Sequence, residues 1–230
     1  MRKFFLIAIS FFVISFLKAQ NVQLHYDFGD KREHLTSTVE MFKPDKLGNT
    51  FFFIDMDYGI KGQKGVSMAY WEIARVLKLK KSPVGLHVEY NGGFGKIAKT
   101  NNFYSINNAW LAGFDYSWNS SNFSKGFSVK TLFKTIEDKN DYSFQLTLVW
   151  YCHMLNKKLS FTGFADFWHE DSDFNFDGKT DAKYIFITEP QLWYNFSSNL
   201  SLGSEIEVSN NFAGNEGWMV NPTIAVKWNF

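Results

Sequence analysis

The chain of 230 residues has little of several things that usually point to a protein class. Its single cysteine, Cys152, rules out an internal disulfide. With 4 prolines and 16 glycines it is not a collagen-like or low-complexity chain. Its 24 basic and 23 acidic residues give a net charge of +1, so no basic excess indicates a nucleic-acid partner. After residue 20, no apolar run approaches the ~18 residues of a transmembrane helix.

Aromatic residues, by contrast, are abundant. Phe, Trp and Tyr make up 19% of the chain, with 26, 8 and 10 copies. So many rings exclude a disordered chain, which could not leave them unburied. The mean hydropathy is nevertheless only −0.23, so polar and aromatic residues must be placed on different surfaces.

The first twenty residues have the features of a secretory signal peptide. Arg2 and Lys3 precede the apolar run 4–17, and the small residue Ala19 follows. The alternative, a membrane anchor, is disfavoured because this run is too short to cross a hydrocarbon core of about 30 Å as a helix. We therefore expect a signal peptide at 1–20 and a mature domain at 21–230. Removing the leader discards three basic residues and no acid, which leaves a net charge of −2.

The mature chain alternates apolar and polar residues with a period of two, which is typical of strands with two different faces. Residues 22–28 show the pattern, since Val22, Leu24 and Tyr26 interleave with Gln23 and His25. The predicted strands are 22–28, 35–42, 50–58, 66–77, 84–90, 109–118, 127–136, 143–153, 159–168, 184–196, 200–208 and 219–230. Twelve is an even number, as expected for a closed antiparallel transmembrane β-barrel of the bacterial outer membrane.

The connections between these strands differ in length at the two ends of the predicted barrel. If the chain starts on the periplasmic side, the outward loops are 29–34, 59–65, 91–108, 137–142, 169–183 and 209–218. The inward turns are 43–49, 78–83, 119–126, 154–158 and 197–199. The longest connections are all outward, which is typical of outer-membrane barrels.

Alternation is also found in soluble sandwiches and ligand-binding barrels, whose apolar face points inward. Three features favour the membrane barrel instead. The last strand ends in Phe230, which resembles the C-terminal signal read by the barrel-assembly machinery. Charges occur in the middle of strands on the polar face, as a hydrated lumen allows. Aromatic residues gather near strand ends, where they would contact outer-membrane lipid at headgroup depth: Tyr26, Phe28, Tyr58, Trp71, Tyr90, Trp110, Tyr116, Trp118, Trp228 and Phe230.

Several segments resemble a family of Tsx-like outer-membrane proteins. They are 21–28 (NVQLHYDF), 32–45 (REHLTSTVEMFKPD), 51–58 (FFFIDMDY), 69–75 (AYWEIAR), 87–92 (HVEYNG), 107–110 (NNAW), 163–168 (GFADFW) and 205–212 (EIEVSNNF). Tsx is a nucleoside-specific channel of twelve strands, so the resemblance implies that architecture. The nucleoside-contacting aromatic residues of Tsx do not match this chain one by one.

With the apolar set facing lipid, the predicted lumen is acidic. Eleven carboxylates face inward: Asp27, Glu40, Asp55, Asp57, Glu72, Glu89, Asp115, Asp166, Glu189, Glu205 and Glu207. They are opposed by Lys130, Lys134 and Lys227, with His25, His87 and His153 as further candidate cations. Such a field repels anions and favours neutral or cationic solutes, and nucleosides over nucleotides.

The same face carries aromatic residues on which a base or sugar could stack. They are Phe51, Phe53, Tyr70, Tyr151, Trp168 and Trp193. Alternatively, these rings fill the lumen and the carboxylates pair with neighbouring groups. The predicted function is a narrow channel for small neutral solutes, with a non-conducting structural or ligand-binding barrel as the alternative.

Two further motifs indicate other functions, a calcium site and a lipid hydrolase. Asp173, Asn175, Asp177 and Asp181 match the first part of a calcium loop, but Tyr184 stands where a bidentate Glu belongs, so a fortuitous acidic turn is the alternative to a Ca²⁺ site. Ser209 follows Glu207 in a pattern that superficially resembles an outer-membrane lipid hydrolase. No base is evident beside Ser209, and nucleophilic catalysis requires one. We therefore expect no enzyme and no other cofactor.

Overall fold

The computed structural model describes residues 20–30, 32–80, 82–97, 100, 102–139, 142–172 and 181–230. The strands are β1 Gln20–Asp27, β2 Leu35–Pro44, β3 Gly48–Tyr58, β4 Val66–Lys78, β5 Val84–Lys96, β6 Phe103–Asn119, β7 Lys125–Ile136, β8 Ser143–Met154, β9 Leu159–Ser172, β10 Asp181–Thr188, β11 Gln191–Asn195, β12 Leu200–Asn210 and β13 Trp218–Asn229. A 3₁₀ turn covers Ile60–Gly62. Among the described residues, no helix has the length and apolar character needed to cross a membrane.

The strands close into one antiparallel barrel. Strands that are neighbours in the chain pair, except that β10 and β11 do not pair with each other, and β1 pairs with β13, bringing Leu24 opposite Val226. β10 and β11 are two halves of one strand position, since both lie between β9 and β12. They are interrupted at Pro190, which has no N–H to donate to a strand ladder. The result is the predicted closed barrel of twelve strands, in which closure leaves no edge strand unpaired.

The two ends of the barrel are built differently. At one end, here named the turn end, lie both termini of the barrel and the connections 45–47, 79–83, 120–124, 155–158 and 196–199. The backbone N–H of Phe230 donates to the carbonyl of Gln20 there, at 3.1 Å. At the opposite loop end, the connections are 28–34, 59–65, 97–102, 137–142 and 211–217, while 173–180, between β9 and β10, lies outside the described residues. The longer connections therefore share one end, as predicted.

One predicted loop is wrong. The span 91–108 is mostly a hairpin, in which β5 continues to Lys96 and β6 begins at Phe103. Gly92, Gly93 and Gly95 hide this continuation because they lack the side chains that produce alternation. Their role is close approach, since a Cβ on Gly93 would lie 2.5 Å from the carbonyl oxygen of Ala69. The pairing also shifts register between Asn91 and Gly93, which breaks the period of two.

Candidate pore lining

The two faces of each strand differ sharply in exposure, which identifies the inner surface. In β1, Gln23 is 2% exposed while its neighbour Leu24 is 43% exposed. The registers carry this alternation around the barrel, so that Asp55 is opposite Thr38 and Tyr70, and Gln145 is opposite Trp168. Residues in register share a face of the sheet. The buried polar set therefore lines the inside of the barrel.

This criterion puts the predicted lumen residues of the paired strands on the inner face. The carboxylates are Asp27, Glu40, Asp55, Asp57, Glu72, Glu89, Asp115, Asp166, Glu205 and Glu207, and the rings are Phe51, Phe53, Tyr70, Tyr151, Trp168 and Trp193. Glu189 lies between β10 and β11, outside the strand pairing, and interacts electrostatically with Glu205 and Glu207. Lys130, Lys134 and Lys227 lie on the same face. The facing of these residues follows from the strand pairing, while their contact with a solute stays a prediction.

Many inner carboxylates accept hydrogen bonds from inner hydroxyls, amides or rings. Thr36 donates to Asp57 at 2.6 Å, and Thr38 donates to Asp55 at 2.5 Å. On the next two strands Tyr70 donates to Glu72 at 2.7 Å, and His87 Nε2 lies 2.8 Å from Glu89 Oε2. A buried carboxylate needs such partners, because an unpaired one would be strongly destabilising.

Carboxylates also approach one another across the lumen. Glu72 on β4 interacts electrostatically with Asp166 on β9, and both also interact with Glu89 and Lys130. Nearer the other side of the barrel, Asp55 interacts in the same way with Glu189 and Glu205. The inner face therefore has two groups of acidic side chains: Lys130 and Lys134 interact with the first, and Lys227 interacts with Glu205 of the second.

Two of the predicted stacking residues have a lysine over one ring face. Lys134 Nζ lies 4.0 Å from the ring centroid of Trp168, and Lys227 Nζ lies 3.9 Å from that of Trp193. These are cation–π distances. Trp193 is fully buried, and Trp168 is 7% exposed. In this conformation, little of either ring is open to a solute.

Three of the remaining inner rings form a continuous row on β3 and β4, whereas Tyr151 belongs to β8. The ring centroids of Phe51 and Phe53 are 6.0 Å apart, and Phe53 is also 6.0 Å from Tyr70. All three side chains are partly exposed, unlike Trp193. This row, named here the aromatic row, is the better placed of the predicted stacking surfaces.

Part of the inner face is apolar, which alternation alone did not predict. Leu111 and Leu132 are each 1% exposed and pack with Ala109 and Ile136. Two strands further along the barrel wall, Trp168 of β9 packs with two isoleucines of β10 and with Phe164 and Phe212. These clusters fill part of the interior, as expected for a barrel larger than the filled eight-stranded type but smaller than open porins.

Arg32 is a lumen residue that the sequence reasoning missed. It belongs to the loop-end connection 28–34, yet its guanidinium reaches the inner wall. Nη1 lies 3.1 Å from Asp27 Oδ2, and Nη2 lies 2.8 Å from Glu207 Oε2. A loop residue has no strand period to assign it a face, so only the folded chain reveals this contact.

His34 follows in the same connection and faces a third carboxylate. Its Nε2 lies 3.6 Å from Asp57 Oδ2, and its Nδ1 lies 2.8 Å from the carbonyl oxygen of Arg32. Hydrogen bonding to Asp57 raises the pKa of His34 from its usual 6.5, against the lowering effect of burial. Connection 28–34 thus contributes a permanent cation and a titratable one to the loop end.

Comparison with known proteins agrees with this architecture. The family profile described as "Domain of unknown function (DUF5020)" matches residues 19–230. This chain belongs to that family. No curated protein sequence matches it.

Solved outer-membrane barrels are similar in fold to this DUF5020 chain. The NanC porin superposes with a TM-score of 0.59 at 10% identity, covering 92% of this chain and 100% of NanC. The KdgM porin, solved in complex with disordered oligogalacturonate, gives a TM-score of 0.48 at 9% identity, covering 91% and 99%. The Acinetobacter baumannii outer membrane protein Omp33 superposes with a TM-score of 0.43 at 13% identity, covering 93% of this chain and 99% of Omp33. At these identities, the similarity to NanC establishes the fold.

The outer face of the DUF5020 barrel carries a second arginine pair. Arg75 Nη1 lies 2.6 Å from Asp45 Oδ2, and Nη2 lies 2.9 Å from Asp45 Oδ1. The hydrogen bond from Arg75 holds the pKa of the Asp45 carboxyl well below its usual range. Both side chains are substantially exposed. Arg75 therefore lies outside the lumen, at the turn end.

Two motifs from the sequence have different outcomes. Asp173, Asn175 and Asp177 lie outside the described residues, as does the side chain of Asp181, so the calcium site stays a prediction. Ser209 is described, and its hydroxyl donates to Glu207 Oε1 at 2.8 Å. Glu207 is itself paired with Arg32, which makes it a poor base for activating a nucleophile.

Proposed function

We propose that this barrel is a narrow outer-membrane channel through which small neutral solutes diffuse, with nucleosides as the leading candidates. The supporting observation is the charge of the inner wall, where carboxylates outnumber lysines and Arg32. Low-dielectric walls focus such a field, so anions are repelled while neutral and cationic solutes enter. A nucleoside differs from its nucleotide by the phosphate charge that this field opposes.

The aromatic row gives such a solute a surface to follow. In the strand register Phe53 lies opposite Glu72, and Tyr70 lies opposite Asp55. Together with Phe51 these rings therefore run beside two inner carboxylates. Stacking of a base on an aromatic ring contributes about 1–3 kcal/mol in single-strand binding proteins. A weaker contact of the same kind would retain a nucleoside briefly without trapping it. The resemblance to the Tsx-like family supports the same solute class.

The proposed location is the outer membrane, with the turn end in the periplasm and the loop end outside. The apolar outer face suits lipid, and signal peptide 1–20 would direct export. The C-terminal Phe230 is 58% exposed, which leaves its side chain free for recognition by the assembly machinery.

Liposome swelling tests the channel directly. Vesicles containing the purified barrel should swell in uridine or adenosine and stay unchanged in the corresponding monophosphates. A Phe53→Ala variant should lose part of its preference for nucleosides over sugars of similar size, while Phe144→Ala on the outer face should keep it. Equal uptake of nucleosides and nucleotides would contradict the charge argument.

A non-conducting barrel is the second candidate, and the packed interior favours it. Leu111, Leu132 and Trp193 are almost fully buried inside the barrel wall. In planar bilayers this alternative predicts no ionic current from folded protein. A steady current through wild-type barrels, reduced when the lumen is narrowed by Ala74→Trp, would exclude it.

A further inference from the structure

The loop end of the barrel contains a fully built site for a planar cation. Besides its contacts to Asp27 Oδ2 and Glu207 Oε2, Arg32 Nη2 donates to Glu207 Oε1 at 3.1 Å. Guanidinium groups favour this kind of forked contact with carboxylates. The guanidinium thus shows what chemistry the site accepts.

The acceptors of this site belong to the barrel wall. Asp27 ends β1 and is 4% exposed, and Glu207 lies in β12 and is 7% exposed. The Gly29 amide donates to Asp27 Oδ1 at 2.6 Å, and Asn221 Nδ2 and Ser209 Oγ donate to Glu207 Oε1 at 3.0 and 2.8 Å. Both carboxylates are therefore oriented by groups other than the arginine.

The site has an acceptor that the arginine leaves unused. Asn221 is 1% exposed, and its Oδ1 has no hydrogen-bond partner among the described residues. A buried amide oxygen without a partner is unusual and destabilising. The same amide donates through Nδ2 to Glu207, so this oxygen lies beside the site.

The cation itself is attached differently from its acceptors. Arg32 lies on connection 28–34, outside the strand ladders. The backbone hydrogen bonds of this connection include Asp27 N to His34 O, Phe28 N to Pro222 O, and Arg32 N to Gly29 O, at 2.9–3.0 Å. Displacing the side chain of Arg32 would break none of these bonds. The acceptors belong to paired strands, whereas the guanidinium is carried by the flexible side chain of Arg32.

We propose that Asp27 and Glu207 form a guanidinium-binding site at the loop-end mouth of the lumen, occupied at rest by Arg32 and available to a solute guanidinium that displaces it. The proposal rests on the channel function, since an entering solute meets this site. It extends the accepted solutes from neutral molecules to small cations with N–H donors. Arg32 then competes with these cations and sets how strongly the mouth retains them.

Chemical rescue tests the site. Methylguanidinium chloride is titrated into the wild type, Arg32→Ala and Arg75→Ala, each folded in detergent micelles, with the thermal unfolding midpoint as the readout. Tetramethylammonium chloride at equal concentration controls for charge, because it has no N–H donors. Arg75→Ala is the matched control, since it also removes a paired arginine but from the outer face.

We expect Arg32→Ala to be stabilised by methylguanidinium at concentrations at least about tenfold lower than the wild type, because truncation leaves two buried carboxylates without their cation. Arg75→Ala should behave as the wild type. The proposal is overturned if Arg32→Ala responds no better than the wild type, or equally to tetramethylammonium. If Arg32→Ala does not fold, Arg32→Gln, which keeps a polar side chain, is titrated by the same criteria.

A second measurement separates this site from the channel. In planar bilayers, methylguanidinium should reduce the current through Arg32→Ala saturably, and Glu207→Gln in that background should abolish the effect. Rescue of stability without current in any variant supports the site and contradicts the channel. Current without either effect of methylguanidinium contradicts the site alone.

Discussion

The outer and inner walls of this barrel are made by the same strands yet follow different rules. On the outer wall, apolar side chains such as Leu24, Leu148 and Ile73 are 39–50% exposed. On the inner wall, polar side chains such as Gln23 and His87 are almost completely buried and depend on hydrogen bonds. The outer wall needs only apolar side chains, whereas the inner wall needs polar side chains with specific hydrogen-bond partners.

The same kind of ion pair, between an arginine and a carboxylate, occurs on both walls and shows this difference. Arg32 and Arg75 each contact carboxylate oxygens at 2.6–3.1 Å. The carboxylates of Arg32 have side chains that are 6% and 9% exposed, while that of Arg75 is 41% exposed. Solvent screens the exposed pair and competes for its hydrogen bonds, so similar geometry gives different energies.

The largest expected effect comes from placing one charge on either face of β8. Leu148→Lys puts an ammonium on the outer wall at the middle of the strand, and this should lower the free energy of unfolding by about 2–4 kcal/mol. Val149→Lys, one residue further, puts the ammonium on the acidic inner wall and should lower the free energy of unfolding by clearly less. Urea unfolding in lipid vesicles measures both. Equal losses would mean that the two walls do not differ as described.

The arginine pairs provide the next test, by double-mutant cycles in the same assay. Arg32→Ala with Glu207→Gln should give a coupling energy of about 1.5–3 kcal/mol, because the carboxylate is buried. Arg75→Ala with Asp45→Asn should couple far more weakly, because solvent screens that pair. A coupling for the outer pair as large as for the inner one would contradict the role of burial.

Neutralising inner carboxylates should alter ion preference with little effect on folding. Glu72→Gln combined with Asp166→Asn removes two charges that interact across the lumen. We expect the cation-to-anion permeability ratio to fall by roughly twofold, because the field in the lumen weakens. The reversal potential under a KCl gradient measures it. Asp45→Asn, outside the lumen, should leave that potential unchanged.

The smallest effect is the pH dependence contributed by His34. Its pKa is raised in the fold from the usual 6.5 by the hydrogen bond to Asp57. The contribution of His34 to stability is therefore fully present below pH 6.5 and is lost as the pH rises through the raised pKa. Unfolding free energies on either side of this window should differ less in His34→Gln than in the wild type. An unchanged difference in His34→Gln would assign the pH dependence to other groups.

Much of the barrel could be predicted because alternation is a local property. Asp55, Asp57 and Glu89 were assigned to the inner face from their neighbours alone, and the strand pairing agrees. The same reasoning fails at 91–108, because glycines have no side chains and so do not show the alternation of apolar and polar residues. Leu111 and Leu132 were missed as interior residues because alternation assigns a face without revealing what that face meets.

Partners could not be predicted, because they come from distant strands. Arg32 and Glu207 are separated by 175 residues, and Lys227 reaches Trp193 from another strand. The sequence by itself determined the number of strands, their faces and the acidic character of the lumen, since a period of two follows from backbone geometry. Only the tertiary structure decided which cation neutralises which carboxylate and which rings stay open, because closing the barrel sets the register that brings those side chains together.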